Sequence, residues 1–266
     1  MKNELLILLP AYNEEQNVKV MIEAWEKQAG LVKDYYGLNL QIVVINDGSN
    51  DKTEYICNQL AAIYDNFKLI NHPRNKGLGE AIKTGILYAI KECPECMYAC
   101  IMDCDNTQDP KYIKDMLDKI GADKSASKAD VVIASRYQKG AKVQGVSKIR
   151  LITSEGARYV YSLIIPVKNV RDYTCGYRLY TTDILKKGYN RFGEDLIKET
   201  GFTCMAELLY KLYLVGACYQ EIPFVLRYDF KQGQSKMKVL KTAGDSIKLA
   251  FRLRRLKTKK GKVAYS

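Results

Sequence analysis

Short apolar runs that each stop at a polar cluster constrain this chain more than any other feature. "ELLILLP" (4–10) runs into "AYNEE", "LQIVVIND" (40–47) into "GSND", and "MYACIMD" (97–103) into "CDNTQDP". "FKLINH" (67–72) and "ADVVIAS" (129–135) are two further runs of the same kind. Runs this short and this apolar predict parallel strands buried on both faces. Between them, apolar residues recur at helical spacing: Val18, Met21, Ile22, Trp25 and Ala29, then Leu78, Ala81, Ile82, Ile86 and Ala89. Another helix is expected after Asp51. Strand, helix, strand, repeated, gives an α/β sheet with right-handed crossovers. In such sheets ligands collect outside the carboxyl ends of the strands, which is where the polar clusters fall. After residue 145 the pattern changes: a helix is expected over 147–165, then a mixed stretch, "VRDYTCGYRLYTTDIL", a helix around 203–215 and a strand in "ACYQEIPFVLRYD". We read this part as a continuation of the same domain. At 266 residues and 47% hydrophobic content the chain can bury a sizeable core.

Composition removes several classes. No window approaches the ~18 uninterrupted apolar residues of a spanning helix; "YVYSLIIPV" comes nearest and contains Pro166. "MKNELLILLPAYNEE" turns polar too quickly for a secretory signal. Eight cysteines without such a signal point to a reducing compartment. Cys93 and Cys96 form one C-x-x-C, and a zinc site would want a second pair; ordinary reduced cysteines near a helix end are expected. The single histidine, His72, speaks against a multi-histidine metal site and against a Ser–His or Cys–His nucleophile. Its expected role is structural.

The net charge of +12 sits almost wholly in the tail, because residues 235–266 carry eleven Lys/Arg and one Asp. A tail of this kind wants an anionic partner. Val239, Ala243, Ile247, Ala250 and Phe251 fall on one helical face of it, so a basic amphipathic helix lying on an anionic membrane surface is expected. The aromatic and basic interleaving of a nucleic-acid motif is absent, and no nucleic acid partner is expected.

Asp103 and Asp105 carry the chemistry. Carboxylates at i and i+2 on an extended loop can both reach one hard divalent cation, Mg²⁺ or Mn²⁺, usually shared with a substrate diphosphate. A bare D-x-D is weak evidence, and the competing reading is a strand-end turn in which Asp109 and Pro110 cap the next helix. "NKGLGEAIKTG" (75–85) places Gly77 and Gly79 before a helix, but residue 82 is Ile, so it is neither G-x-G-x-x-G nor a P-loop. A nicotinamide dehydrogenase and a P-loop NTPase lose their support.

In order along the chain, "LPAYNEEQNV", "VVINDGSNDKT", "NKGLGEAIKTG", "MDCD", "VIASRY", "YTCGYR" and "EIPFVLRYD…GQSKM" resemble the inverting family 2 glycosyltransferases of GT-A fold, and most of all the dolichol-phosphate or polyprenyl-phosphate mannosyltransferase branch. The resemblance implies a Rossmann-like, mostly parallel sheet flanked by helices. It implies a catalytic domain over 1–234, with a nucleotide-sugar half (1–135) and an acceptor half (136–234), followed by the basic tail (235–266). Pro10, Ala11, Tyr12 and Glu14 would line the nucleotide pocket, and Asp47 would hold the nucleoside with Lys76 and Gly77 nearby. Asp103 and Asp105 would bind the metal. Arg136, Arg150 and Ser154 would hold the acceptor phosphate, with Arg178 and Lys236 as further cations near the site. Relatives that read D-x-D-x-Q have Gln where this chain has Thr107, and Gln108 follows one residue later. The implied reaction moves a hexose, mannose first, from GDP-mannose or a UDP-hexose to a polyprenyl phosphate, at the inner face of the membrane on the cytoplasmic side. The alternative is a sugar hydroxyl acceptor with Asp172 as base. A phosphate monoester needs no base, since its second pKa of about 6 leaves it mostly dianionic at neutral pH. It needs positioned cations instead, and the planar fork of arginine suits this.

Overall fold

The computed structural model describes residues 3–93, 96–122, 129–146, 148–230 and 239–260, without the side chains of 148–153, 239–243 and 257–260. Four strands form its first half: β1 (Glu4–Ala11), β2 (Asn39–Asn46), β3 (Phe67–Asn71) and β4 (Cys96–Ile101). They pair in parallel, with β1 between β2 and β4. Parallel neighbours need crossovers. These are α1 (Val18–Tyr36), α2 (Thr53–Ala61) and α3 (Leu78–Leu87), the last continuing into a π turn (Tyr88–Glu92). Leu5 to Leu9 on β1 and Ile42 to Ile45 on β2 are buried on both faces, as their unbroken apolar runs require. Each such side chain contributes about 2 kcal/mol on burial.

The second half adds β5 (Val131–Ser135), β7 (Arg178–Thr181) and β8 (Tyr219–Pro223), completing a seven-stranded sheet in the order β3-β2-β1-β4-β7-β5-β8. β7 runs antiparallel to both β4 and β5, whereas β5 and β8 are parallel. The α/β, mostly parallel sheet is therefore as expected, with one reversed strand near its middle. The mixed stretch before 187 resolves into β7 and the start of α6 (Thr182–Phe192), a helix that its polar composition had hidden. The expected last strand is split. β8 stays in the main sheet, while β9 (Val225–Arg227) pairs with β6 (Lys142–Gln144) in a small second sheet. Further helices are α4 (Ile113–Ile120), α5 (Lys148–Ile164), α7 (Cys204–Leu214) and α8 (Val239–Lys260). Among the described residues, no helix is long and apolar enough to cross a membrane. An aromatic chain stitches the halves together: Trp25 of α1 meets Tyr177 edge-on at 6.4 Å, and Tyr177 meets Phe224 in the same way at 6.4 Å.

Three readings need correction. The amphipathic face of α8 is placed differently: Ser246, Leu249, Ala250 and Leu253 are buried, whereas Ile247 and Phe251 are about half exposed. Val239 and Ala243 lie outside the described side chains. Cys93 and Cys96 are joined in a disulfide, not left as two separate thiols. Arg178 is no site cation. It is fully buried on β7, where its guanidinium donates to the Met205 and Tyr173 carbonyls, both at 2.7 Å. Replacing Arg178 by Ala would remove both buried hydrogen bonds and leave a void in their place. It should cost about 3 kcal/mol, measured as a lower urea midpoint, with the Mn²⁺ affinity of the folded protein unchanged. Weakened Mn²⁺ binding at full stability would return Arg178 to the site.

Candidate active site

Parallel strands deliver their carboxyl ends to one edge, and the reversed β7 delivers its beginning to the same edge. There the first two strand-end loops interlock. The Asn13 and Glu14 N–H groups donate to Ser49 Oγ (2.9 Å) and Thr53 Oγ1 (2.8 Å), and the Asn50 N–H donates to Asn13 Oδ1 (2.8 Å). A cavity of about 720 Å³ opens at this edge. Pro10, Ala11, Tyr12, Glu14, Asp47 and Gly77 line it. Asp103 and Asp105 lie in its wall with Thr107 and Gln108, and Arg136 and Ser154 line it from the second half of the chain.

Asp47 is buried and ties down the loop before α3. Its carboxylate accepts from the N–H groups of Lys76 (2.9 Å) and Gly77 (2.8 Å), and it lies 2.6 Å from His72 Nδ1. His72 Nε2 lies 2.9 Å from Thr84 Oγ1, so the lone histidine is a buried brace. The Lys76 side chain is exposed and lies outside the cavity wall. Gly77 has φ +95°, and a Cβ there would meet the Thr200 carbonyl oxygen at 2.5 Å; at Gly79 the Glu199 carbonyl oxygen would be 1.8 Å away. The glycines therefore serve close packing of this loop against 199–203, whose Thr200, Gly201, Phe202 and Thr203 also line the cavity.

Each aspartate of the pair has its own holder. Gln108 Nε2 donates to Asp103 Oδ2 at 2.8 Å, while the Asp103 N–H donates to Gln108 Oε1 at 3.2 Å. Thr107 donates to Asp105 Oδ1 from its hydroxyl (2.6 Å) and its N–H (3.2 Å). Asp109 accepts from the Lys111 N–H and caps the next turn with Pro110 at its head. The capping turn is therefore present at Asp109, while Asp103 and Asp105 line the cavity. A Cβ at Gly176 would sit 2.9 Å from Asp103 Oδ1, so this glycine keeps space open beside the carboxylate. Two oriented carboxylates in one cavity wall are a hard-oxygen donor set suited to Mg²⁺ or Mn²⁺.

Arg136, also in the cavity wall, is clamped. Its Nε and Nη2 donate to the two oxygens of Asp172 at 2.8 and 2.6 Å, and Nη2 also donates to Thr174 Oγ1 at 2.6 Å. Asp172 is completely buried and also accepts from the N–H groups of Arg136, Thr174 and Cys175. Behind it, Glu221 accepts from the N–H groups of Arg171 and Asp172. Burial pushes the Asp172 carboxyl up, but the charge and hydrogen bonds of Arg136 outweigh it and hold the group below its ordinary value. A sealed, doubly engaged carboxylate of lowered pKa is no general base; the hydroxyl-acceptor role for Asp172 is corrected to that of an arginine holder. Ser154 Oγ lies 2.7 Å from Tyr137 Oη, and Arg158 stacks over Tyr137 at 5.1 Å. The Arg150 side chain and Lys236 lie outside the described residues. Sequence reasoning missed Tyr137, Gly176, the 200–203 segment and Ser246 of α8, which also lines the cavity. Tyr137 and Gly176 stand inside motifs already noted, but neither residue type announces a role.

The glycosyl transferase family 2 model matches residues 6–189. A dolichol-phosphate mannosyltransferase of Pyrococcus furiosus is 28% identical over 248 residues, which are 93% of this chain and 62% of that protein's length. A dolichyl-phosphate beta-glucosyltransferase of Trichomonas vaginalis is 28% identical over 253 residues, 93% of this chain and 73% of that protein. Among solved structures, glucosyl-3-phosphoglycerate synthase from Mycobacterium tuberculosis, in complex with Mn²⁺, uridine diphosphate and phosphoglyceric acid, superposes with a TM-score of 0.62. It is 16% identical, covering 94% of this chain and 77% of that one, and shares the fold.

Gln108→Ala should weaken Mn²⁺ binding by about tenfold or more, read by electron paramagnetic resonance titration, with unchanged circular dichroism. Asp172→Asn should cost about 2 kcal/mol at neutral pH by leaving the part-buried Arg136 without its counter-charge. The native Asp172 carboxyl lies below its ordinary value. Its contribution is therefore complete above the ordinary carboxylate range and fades as pH falls through the lowered native value. An acid unfolding profile should accordingly be less steep below about pH 4 in the variant; an identical slope would remove Asp172 from the linkage.

Proposed function

We propose, from the premise that this chain belongs to glycosyl transferase family 2, that it transfers a hexose from a nucleotide diphosphate sugar to a polyprenyl phosphate with inversion. The observation that carries the reading is the mixed lining of the cavity. Asp103 and Asp105 share its wall with the apolar Val143, Val146, Ala157 and Leu226. A sugar acceptor gains little from such walls, whereas an isoprenoid chain is desolvated by them. Both relatives described above are named for dolichol or dolichyl phosphate, which supports the lipid acceptor. One is named for mannose and the other for glucose; mannose is the first sugar to test.

The residues divide the work. Pro10, Ala11 and Tyr12 provide the nucleotide side of the cavity, and Asp47 keeps the Lys76–Gly77 loop in place beside it. Asp103 and Asp105 would hold a divalent cation, Mg²⁺ or Mn²⁺, which when bound neutralises charge on the departing diphosphate. Arg136, its orientation fixed by Asp172, presents a planar donor to the acceptor phosphate with Ser154 and Tyr137 beside it. The phosphate is already anionic, so no side chain has to remove a proton before the displacement.

The same reading places the protein against an anionic membrane surface. α8 leaves Ile247 and Phe251 exposed, and α5, which packs on it, leaves Tyr159 and Leu163 exposed at 62% and 81%. Lys248, Arg252, Arg254 and Arg255 lie among them on α8. Lys or Arg near a negative leaflet contributes about 1 kcal/mol each.

The decisive assay offers radiolabelled GDP-mannose, UDP-glucose and UDP-N-acetylglucosamine in parallel, with a short polyprenyl phosphate and Mg²⁺ or Mn²⁺. Label should enter the organic phase from one donor and fail to do so with Asp105→Asn. Donor hydrolysis with no lipid product would move the acceptor to a hydroxyl. In vesicle sedimentation, Ile247→Asp with Phe251→Asp should lower binding to anionic vesicles by about tenfold or more; undiminished binding would remove α8 from the membrane contact.

A further inference from the structure

Away from the cavity, the described residues bring together a second set of reactive side chains. The ligand atoms of Glu4, Cys93 and Cys96 all lie within 4.8 Å of one another. Glu4 opens β1 and Cys96 opens β4, so the group sits at the sheet edge opposite the carboxyl ends of these strands. The ladder is irregular here: Glu4 pairs with Cys96, but Leu5 pairs with Tyr98, which leaves Met97 as an extra residue, 44% exposed. Cys93 directly follows the π turn that ends α3.

We propose that Cys93 and Cys96 form a reversible thiol–disulfide site in which Glu4 favours the dithiol. Glu4 Oε2 lies 3.1 Å from Cys93 Sγ and 3.6 Å from Cys96 Sγ. In the disulfide neither sulfur carries a proton, so the carboxylate faces two atoms that cannot donate to it. In the dithiol, Cys93 S–H donates to Glu4. The carboxylate therefore stabilises one redox state by a charge-assisted hydrogen bond that the other cannot form. A ring closed over two intervening residues also restricts the unfolded chain far less than a long loop does, so the bond is poorly suited to be a permanent staple. The other cysteines are free thiols, and burial pushes those of Cys57 and Cys175 up to about 12. Cys218 is exposed but is not disulfide-bonded.

The co-reactant is a low-molecular-weight disulfide, RSSR. One cysteine of the pair, as thiolate, attacks RSSR to form a mixed disulfide, and the RS⁻ released takes up the proton that cysteine gave up. The second cysteine then attacks the mixed disulfide, closing the Cys93–Cys96 bond and releasing the other RS⁻, which takes up the second proton. Two electrons pass from the cysteine pair to RSSR, giving two RSH, and excess RSH reverses both steps. Closure ties the end of the π turn to the head of β4, the strand whose far end leads to Asp103 and Asp105.

The test equilibrates the full-length protein in glutathione buffers from reducing to oxidising, traps free thiols by alkylation and reads each cysteine by peptide mass spectrometry. Cys93 and Cys96 are 7% and 4% exposed, so equilibration runs for hours and is approached from both directions. Both should lose alkylation together as a two-electron couple, in a step that the other six cysteines do not share. In Glu4→Gln the midpoint should move to a [GSH]²/[GSSG] about three- to tenfold higher, because the dithiol has lost its charged acceptor. A Glu4→Gln midpoint within about twofold of the wild type would remove the role of Glu4. Failure of the wild-type protein to form the bond at any ratio would overturn the site, and that result does not depend on how the variant folds. Reduced protein that retains one equivalent of Zn²⁺ with both thiols shielded from alkylation would also overturn it, in favour of a metal site.

Discussion

Acidic side chains seated at the edge of a dry sheet are tolerated when each is hydrogen-bonded by fixed donors. That requirement organises this molecule. Asp47 is met by two backbone N–H groups of the loop before α3, Asp103 by Gln108, Asp105 by Thr107, Asp172 by Arg136, and Glu221 by the 171–172 backbone. The acids consequently fix the loops as much as the loops fix the acids. Asp47 joins the end of β2 to the loop after β3, and Glu221 joins β8 to the segment that carries Asp172. A rigid cavity wall built from loops follows from this bonding, because loops without such ties are the first parts of a fold to open.

The reversed strand supplies the link between the halves. Since β7 runs against its neighbours, Thr174 and Gly176, just before its first residue, arrive at the edge where β4 and β5 finish. Thr174 reaches Arg136, and Gly176 leaves room beside Asp103. A second tie comes from α7. Glu207 accepts from the N–H groups of Lys198 and Glu199, and Arg252 of α8 pairs with Glu199 at 2.7 Å. The segment held in this way is the one on which Gly77 and Gly79 pack. The basic helix is therefore part of the cavity's construction, with Ser246 in the wall, as well as the carrier of the exposed Ile247 and Phe251.

The first half was legible in the sequence because strands buried on both faces leave unbroken apolar runs, and because the polar clusters after them mark the sheet edge. β7 was less legible: "RLYT" is four residues long and flanked by polar groups, and strand direction leaves no mark in composition. Arg178 and Asp172 mislead for a common reason. Charged residues in a motif-rich stretch suggest ligand contact, but burial beside carbonyls or an opposite charge gives them structural work that only the fold reveals. The face of α8 was misplaced because apolar periodicity identifies a stripe without saying which edge of it meets the body. Residues before Asp103 predicted a strand end, whereas the space beside that aspartate is kept by a glycine more than seventy positions later.

Gln108 shows how local geometry can absorb a shift in spacing. Counting along the chain, the amide of a D-x-D-x-Q pattern would stand at Thr107. Asn106 adopts φ +60°, a left-handed conformation that asparagine tolerates better than most residues, and its side chain donates to Asn17 Oδ1 at 3.0 Å. The chain reverses there, so Thr107 folds back onto Asp105 and Gln108 reaches Asp103. An amide one position late still meets the first aspartate, and the position it vacates supplies a hydroxyl to the second. Each carboxylate of the pair thus has a side-chain donor of its own, Gln108 for Asp103 and Thr107 for Asp105, which orients it.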